Sequence, residues 1–595
     1  MTIKKISAFL MVLIMILSIS GICAINTTNN NSVNLTSSIT CNNTACNESS
    51  PVNTSVIYVS TDGNDCNNGL TEATSKKTIQ CAINTVADYG IIYVSPETYH
   101  ENLKINKNVS IINPYYSEFY NNKEYITIDS NSKDSGVIVE KGNNVHIERI
   151  VITGGGIYNK GQMTITSSKV SRNKNHGITN TGNLTISYLE ILNNENSGII
   201  NSGNLIITNY SMIQNNTNDG VINSGNLIIT NYSMIQNNTN DGVINSGNLI
   251  ITNYSMIQNN NDGGVINSGN ANITYSGISG HKNSGIINSG NLILINSEIL
   301  NNGNKRPDSG GIYNSRVMTI INSKIQHNKG NTGGIYNRGI LSIQDSIISH
   351  NTGTIGGGIC NNKKLNITNS YIHANQATRM GGGIYSCFDD LQTIDYKFTN
   401  NNDGSKSCGI CKTLPCNNPD NFLSIVNCSI KNNKAGHSGG GIKSWSGLNI
   451  INSTVMENTV SISNIFSLLG GYNIDHVNCG GGIFVDGDLT ITNCKIKDNK
   501  ALNGGGIYHS KMCGWLTTRI VDSEIIDNKA WKGGGIYHEG DIILKNVKIK
   551  DNFAFKYRAI YNTNGYIFQD DHTEIKSNWF RNIYKKSFCL PQYNV

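Results

Sequence analysis

An exact internal repeat constrains the fold of this chain more than any other feature. The 22 residues at 201–222 recur without change at 223–244 and almost unchanged at 245–266. A unit of this length has room for three short strands and their turns, but it cannot bury an apolar face by itself. Successive units must therefore stack on one another, which predicts a solenoid.

A weaker form of the same unit extends along most of the chain. Each unit begins with a glycine followed by isoleucine or valine, with alanine in place of the glycine in the last one, and most units are 21 to 26 residues apart. The isoleucine or valine of this step occurs sixteen times, at positions 157, 178, 199, 221, 243, 265, 286, 312, 335, 359, 384, 442, 483, 507, 536 and 560.

The apolar spacing inside a unit indicates strands. The pattern L-x-I-x-[ND]-[ST]-x-I-x-x-N alternates with a period of two, for example at Leu489, Ile491 and Ile496. No unit keeps the helical period of about 3.6 residues. We therefore predict an all-β fold, a right-handed parallel β-helix of about 16 regular coils whose equivalent residues stack at ~4.8 Å.

The composition argues against a nucleic-acid partner. Charged residues make up 14% of the chain, and 46 basic residues stand against 40 acidic ones without a basic run. Binding to phosphates requires clustered lysine and arginine. The hydrophobic content of 37% is sufficient for a core.

The N-terminus has the pattern of an export signal. Lys4 and Lys5 precede an apolar run from Ile6 to Ser20, which predicts a signal peptide over 1–24. The alternative is an uncleaved anchor, the only membrane contact that we expect. Residues 25–55 form an Asn/Thr/Ser-rich linker with several N-glycosylation sequons. These features predict a secreted or cell-surface glycoprotein, whose 15 cysteines lie in an oxidising compartment.

The remaining chain divides into a cap, an array and a tail. Residues 56–152 predict an N-terminal cap and first irregular coils, with a short helix over 77–90 that ends at Gly90. The β-helix is predicted over 153–578, with insertions at 386–420 and 459–478. Residues 579–595 are predicted as a C-terminal cap or tail.

Several runs resemble those of a known group of proteins. YVSTDGND (58–65) and IYVSPETYHENL (92–103), followed by GGGIYN coils such as 154–159, resemble the adhesin-like, Asn/Thr-rich surface proteins of methanogenic archaea. The repeats are also similar to those of chlamydial polymorphic membrane proteins. The resemblance covers about 56–578 and implies a pectin-lyase-like right-handed β-helix with a surface or adhesion role.

An asparagine recurs three residues after an isoleucine in most units. Stacked amides at a turn bond to one another and to turn backbone, so we predict a structural column in which His281 takes one place. The predicted members are Asn173, Asn194, Asn215, Asn237, Asn259, Asn302, Asn328, Asn351, Asn375, Asn433, Asn458, Asn499, Asn528, Asn552 and Asn578.

The residues just before this column include the candidate catalytic or metal-binding side chains. Four consecutive coils have a carboxylate there: Glu457, Asp498, Asp527 and Asp551. At the spacing of stacked strands they resemble a retaining glycosidase pair, about 5 Å apart, or a Ca²⁺ site. Flanking lysines favour a solvated charge ladder instead, and the Asn-Thr-Asp, Gly-His-Gly and Arg-Ile-Lys signatures of pectin-degrading β-helix enzymes are missing. We therefore expect no enzyme, cofactor or metal.

The first insertion contains Cys387, Cys408, Cys411 and Cys416. In an exported protein these favour disulfides, and zinc binding is the alternative. Altogether the sequence predicts a non-enzymatic, adhesin-like surface protein that binds a glycan or a protein through its lateral face and inserted loops. The alternatives are a polysaccharide lyase or glycoside hydrolase that uses the carboxylates, and a structural envelope stalk.

Overall fold

Each coil contributes one strand to each of three parallel sheets, A, B and C, which follow one another along the chain in a right-handed parallel β-helix. The computed structural model describes residues 54–115, 126–130, 135–303, 309–387, 423–461, 478–510, 517–576 and 583–584. They belong to one unit, Cys46–Val595. The predicted signal peptide, nearly all of the linker, and the tail apart from 583–584 lie outside these residues, and the predicted domain boundaries stay predictions.

Sheet A contains twenty strands in the described part of the chain: Val56–Val59, Gly90–Val94, Val109–Ile112, Asn144–Glu148, Gln162–Thr166, Asn183–Ser187, Asn204–Thr208, Asn226–Ile229, Asn248–Ile251, Asn270–Thr274, Asn291–Ile295, Val317–Ile321, Ile340–Gln344, Lys364–Thr368, Leu423–Val426, Leu448–Ile451, Leu489–Thr492, Thr517–Val521, Asp541–Lys545 and Ile567–Gln569.

Sheet B contains nineteen described strands: Thr98–Tyr99, Ile126–Asp129, Ile150–Gly154, Lys169–Asn173, Glu190–Leu192, Met212–Gln214, Met234–Gln236, Met256–Gln258, Gly277–Ser279, Glu298–Leu300, Lys324–Gln326, Ile347–Ser349, Tyr371–His373, Ser429–Lys431, Thr454–Met456, Lys495–Lys497, Glu524–Ile526, Lys548–Lys550 and Glu574–Ile575.

Sheet C also contains nineteen described strands: Leu103–Ile105, Val137–Val139, Ile157–Asn159, Ile178–Asn180, Ile199–Asn201, Val221–Asn223, Val243–Asn245, Val265–Asn267, Ile286–Asn288, Ile312–Asn314, Ile335–Asn337, Ile359–Asn361, Ile384–Ser386, Ile442–Ser444, Ile483–Val485, Ile507–His509, Ile536–His538, Ile560–Asn562 and Ile583–Tyr584. All sixteen predicted Gly-Ile/Val steps begin a strand of this sheet.

Shorter strands form a further ladder between sheets B and C in the C-terminal half. Its described members are Thr352–Ile355, Gln376–Met380, Lys434–Ala435 and Thr459–Val460, followed by the pair Lys529–Lys532 and Phe553–Lys556.

The core is a set of apolar columns that run through the coils. In the identical repeats Leu205 pairs in register with Leu227, which pairs with Leu249, and all three side chains are buried as the repeat predicts. In these repeats sheet A contributes two inward apolar residues per coil, and sheets B and C contribute one each. Burial of each such side chain stabilises the fold by about 1.5–3 kcal/mol, but only when the next coil covers it.

The N-terminal cap contains the predicted short helix, although it ends earlier than expected. The α-helix is Ile79–Thr85, and a 3₁₀ turn precedes it at Glu72–Thr74. The expected stop at Gly90 is wrong, because Val86 already has an extended backbone with ψ 147°. Gly90 instead begins a sheet A strand, where a Cβ atom would lie 2.4 Å from Val86 Cγ2. No helix among the described residues is long and apolar enough to cross a membrane.

The corner after sheet B contains a continuous ladder of buried asparagines. Asn499 is typical, because its Oδ1 accepts from the backbone N–H and the Nδ2 of Asn458, both at 3.0 Å. Its own Nδ2 donates to the carbonyl of Val455 at 2.9 Å. Eleven of the predicted members are buried in this ladder: Asn173, Asn194, Asn302, Asn328, Asn351, Asn375, Asn433, Asn458, Asn499, Asn528 and Asn552. Asn578 lies outside the described residues.

Three predicted members of this column are wrong by one residue. Asn215, Asn237 and Asn259 are exposed and have φ values of 53° to 55°. The buried amides belong to the next residue in each coil: Asn216, Asn238 and Asn260. The reason is that one residue with left-handed backbone turns the chain before the buried asparagine, so the first asparagine of the pair faces solvent.

His281 occupies the asparagine position in its coil and reproduces both hydrogen bonds. Its Nδ1 accepts from the backbone N–H of Asn260 at 3.2 Å, and its Nε2 lies 3.0 Å from the carbonyl of Ile257. Since Nδ1 accepts, the proton of the neutral ring is on Nε2. Burial lowers the pKa of His281 to about 4, which keeps the ring neutral.

A second asparagine ladder, which was not predicted from the sequence, lies at the end of the sheet C strands. In each member the Nδ2 group donates to the next Oδ1, from Asn159 to Asn180 at 2.7 Å and on to Asn361. The sequence signal was an asparagine two residues after each of the first ten steps, from Ile157 to Ile359. Its members are Asn159, Asn180, Asn201, Asn223, Asn245, Asn267, Asn288, Asn314, Asn337 and Asn361.

Candidate functional site

The corner between sheets A and B is built in the same way from coil to coil. The residue that turns the chain has a φ between 45° and 60°, which asparagine and aspartate tolerate better than most residues. In nine described coils the turning residue is one of these two: Asn296, Asn322, Asp345, Asn369, Asn427, Asn452, Asn493, Asp522 and Asn546.

Five consecutive coils have a tyrosine with positive φ at this corner, and in the three central coils an asparagine with a φ of 52–53° precedes it. We call this set the tyrosine ladder, and its members are Tyr188, Tyr210, Tyr232, Tyr254 and Tyr275. Each tyrosine is 50–61% exposed. Neighbouring ring centroids are 5.2–6.5 Å apart, and the first three pairs are stacked with interplanar angles of 7–20°. The ladder therefore presents a row of ring edges and hydroxyls parallel to the axis.

Tyrosine at a position with positive φ reduces the stability of the fold, and asparagine would reduce it less. A left-handed backbone costs an ordinary L-residue about 1–2 kcal/mol, and asparagine less. The rings remain 50–61% exposed, so their mutual stacking offsets only part of that cost. In later coils a single asparagine or aspartate turns the chain. Strain and exposed aromatic surface that the fold does not need favour a binding role.

Polar groups flank the central part of the tyrosine ladder. Asn209, Asn231 and Asn253 precede its three central members. The Nδ2 of Asn231 donates to Thr208 Oγ1 at 3.0 Å and to Asn209 Oδ1 at 3.2 Å. A row of amides and hydroxyls thus runs beside the row of rings.

Two shallow polar grooves lie along the same corner, and the first one begins at the last tyrosine of the ladder. The first groove, of about 360 Å³, is lined by Tyr275, Asn296, Ser297, Glu298, Asn322 and Lys324. A second groove, of about 310 Å³, lies farther along the corner, and its lining includes Asn452, Asn493, Lys495, Glu524 and Lys548.

The stretch of chain that contains the ladder has few charged residues, and all of them are acidic. Residues 183–280, which contain all five tyrosines, include five carboxylates and no lysine, arginine or histidine. Phosphates and uronates need basic partners, which residues 183–280 do not supply.

The predicted carboxylate column lies at the corner after sheet B. Glu457, Asp498, Asp527 and Asp551 occupy four consecutive coils and have φ values of 55–57°. They are thus the turning residues that precede the buried asparagines. Lys497 bridges two of them, at 3.4 Å from Asp498 and 3.7 Å from Asp527. Glu457 pairs with Lys431 at 3.4 Å.

The predicted cysteine cluster is mostly outside the described residues. Cys387 is buried, 3% exposed, just after a sheet C strand. Cys408, Cys411 and Cys416 are not among the described residues, so the choice between disulfides and zinc stays a prediction. In the described part of the chain no three His, Cys, Asp or Glu side chains are grouped to hold a metal ion.

Sequence reasoning missed the tyrosine ladder. The signal was present, because tyrosines recur at intervals of 21 to 22 residues from 188 to 275. What the sequence did not reveal is that this position is an exposed corner with positive φ.

The similarity of this chain to known proteins is low. No family model and no curated protein matches the chain. Among solved structures, a rhamnogalacturonan lyase matches with a TM-score of 0.23 and 14% identity, over 58% of this chain and 90% of that one. Pectate lyase Pel9A matches with a TM-score of 0.17 and 16% identity, over 57% of this chain and 75% of that one.

Proposed function

We propose that this protein is an exported, non-enzymatic surface protein of the adhesin-like type that binds a neutral polysaccharide lengthwise along the corner between sheets A and B. The tyrosine ladder is the observation that carries the proposal. Its five exposed rings follow one line at near-constant spacing, which suits an extended ligand with a short chemical repeat.

The chemistry of the corner favours a glycan. Sugar rings combine apolar C–H groups, which contact the exposed edges of the tyrosine rings, with hydroxyls, which bond to amides and phenols. The corner offers both kinds of group side by side. The five carboxylates and the absence of basic residues in 183–280 favour an uncharged glycan over an anionic one.

The ion pairs of the carboxylate column favour a protein that binds a glycan without cleaving it. A retaining glycosidase needs one carboxylate free as nucleophile and a second one as acid. The ion pairs of Lys497 with Asp498 and Asp527 are typical of a surface charge ladder. This column also lies at a different corner from the tyrosine ladder.

Export and surface display rest on the sequence. The apolar N-terminal run, the sequon-rich linker and the resemblance to adhesin-like surface proteins support them. A ladder of this kind is useful where long polymers are in reach, as they are at a cell surface.

The test compares glycan binding by the full chain and by a variant with Tyr210→Asn, Tyr232→Asn and Tyr254→Asn. Asparagine is the turning residue of seven other coils and tolerates positive φ, so the variant should keep the fold. The proteins are screened against immobilised neutral and anionic polysaccharides. They are made in a host without N-glycosylation, because each central tyrosine lies in an Asn-Tyr-Ser sequon.

We expect the wild type to bind a neutral glycan and the triple variant to bind it at least about tenfold more weakly, which corresponds to 1.4 kcal/mol. Tyr371→Ser is the matched control, since Tyr371 is 58% exposed on sheet B and pairs in register with Ser429. It should bind like the wild type. Binding that is unchanged in the triple variant, binding only to anionic glycans, or release of shortened glycan would each contradict the proposal.

A further inference from the structure

A lysine and an aspartate from adjacent coils are enclosed together beside sheet C. Lys443 lies in the strand Ile442–Ser444 and pairs in register with Phe484 of the next coil. Its Nζ lies 3.1 Å from Oδ2 of Asp486. The two side chains are 2% and 0% exposed.

The surroundings of this pair are aromatic and fixed. Nζ of Lys443 lies 2.9 Å from the ring centroid of Phe484 and 3.9 Å from that of Trp445. The other carboxylate oxygen of Asp486 accepts a hydrogen bond from the hydroxyl of Ser510. The two reactive groups are therefore held in contact with little access for water.

Burial distinguishes this pair from other ion pairs of the protein. Among the ion pairs of the described residues, it is the one in which both side chains are buried. Lys324 and Glu298 approach more closely, at 2.7 Å, but their side chains are 49% and 45% exposed. Two buried charges without water are costly, so the site favours any reaction that removes both.

The amine is also available as a nucleophile. Burial lowers the pKa of Lys443 to about 8, against the opposing effect of Asp486. A neutral amine is thus accessible near neutral pH, and only a neutral amine attacks a carboxyl carbon.

We propose that Lys443 and Asp486 condense to an intramolecular amide cross-link between the two coils. The lysine ammonium first gives one proton to the Asp486 carboxylate, which leaves an amine facing a carboxylic acid. The Nζ–Cγ bond then forms and one Cγ–O bond breaks. A second proton from Nζ passes to the departing hydroxyl, through the carboxyl group or the Ser510 hydroxyl, and one water molecule leaves. No oxidant, metal or co-reactant is needed.

The cross-link would hold two adjacent coils together on either side of an insertion. The segment 459–478 interrupts the regular coil length between Lys443 and Asp486. An amide between the two side chains closes that interruption covalently and holds adjacent coils in register.

Peptide mapping of the purified, folded full chain tests the proposal. Trypsin cleaves after a free lysine, so a linked Lys443 resists cleavage, and the peptide that contains both residues is lighter by one water molecule. A glutamate-specific protease cuts at Glu457, between the two residues, and the two resulting pieces should stay joined.

Two controls make the mapping decisive. Asp486 precedes Gly487, and a succinimide at that step also loses one water, but it leaves Lys443 open to trypsin and the pieces separate. The exposed pair Lys324–Glu298 should stay unlinked, which shows that proximity alone is insufficient. Lys443→Arg should abolish the joined species. Separate, full-mass peptides from the folded wild type would overturn the proposal, whatever the variant does.

Discussion

At the corner after sheet B, two neighbouring residues have different structural roles. Asn499 is buried and bonds to two neighbouring coils and to a strand carbonyl. Asp498 beside it has a φ of 56° and a side chain that reaches Lys497 at the surface. One position satisfies buried backbone and the other turns the chain, so they should respond differently to substitution.

Replacing the buried member should cost far more than replacing its neighbour. Asn499→Leu leaves the N–H of Asn458 and the carbonyl of Val455 without partners, so we expect a loss of about 1–3 kcal/mol in unfolding free energy. Asp498→Asn keeps a residue that suits positive φ and should change it by less than ~0.5 kcal/mol. Denaturant unfolding of both variants is the measurement, and equal losses would refute this assignment.

His281 should give local stability a pH dependence. Its pKa is about 4 in the folded protein and about 6.5 in an unfolded chain, so only the unfolded chain gains this proton between those values. Stability should therefore fall as the pH decreases from 6.5 to 4, by up to about 3 kcal/mol. His281→Asn restores the amide ladder and should remove this contribution.

Hydrogen exchange at the Asn260 amide, which donates to His281, reports the local effect. The wild type should lose protection toward pH 4 more steeply than His281→Asn does. Identical pH dependence in the two proteins would contradict the assigned role of His281.

At the scale of the coil, the sequence predicts what depends on apolar periodicity. The sixteen Gly-Ile/Val steps mark sheet C strands, because a buried β-branched residue must return once in each coil. The choice between Asn215 and Asn216 fails, because two adjacent asparagines look alike and only backbone φ separates them. The tyrosine ladder was missed for the same reason, since exposure at a corner depends on the course of the backbone.

The insertion after Tyr385 is an element that the array does not explain. It contains no coil pattern, and in an exported protein its cysteines should be cross-linked. We expect non-reducing peptide mapping to place Cys387, Cys408, Cys411 and Cys416 in disulfides, each stabilising the segment by about 2–4 kcal/mol. Four free thiols would refute this, and stoichiometric zinc that is removed by a chelator would favour the metal alternative.

At the scale of the described β-helix, every ladder follows the axis. The asparagine ladders hold the interior corners, the charge ladder lies at one outer corner, and the tyrosine ladder lies at another. Five consecutive coils therefore repeat a tyrosine, with ring centroids 5.2–6.5 Å apart. A sugar unit advances a polysaccharide by a comparable distance, so one unit per tyrosine is the natural register.

The dependence of affinity on glycan length tests this central claim most directly. Oligosaccharides of one to eight units, taken from the glycan that the screen identifies, are titrated calorimetrically into the full chain. We predict that affinity rises with each unit up to about five, one for each ring, and then levels off, because further units add no equivalent contact. A monosaccharide that binds as tightly as the octasaccharide would indicate a single closed pocket and would contradict the account.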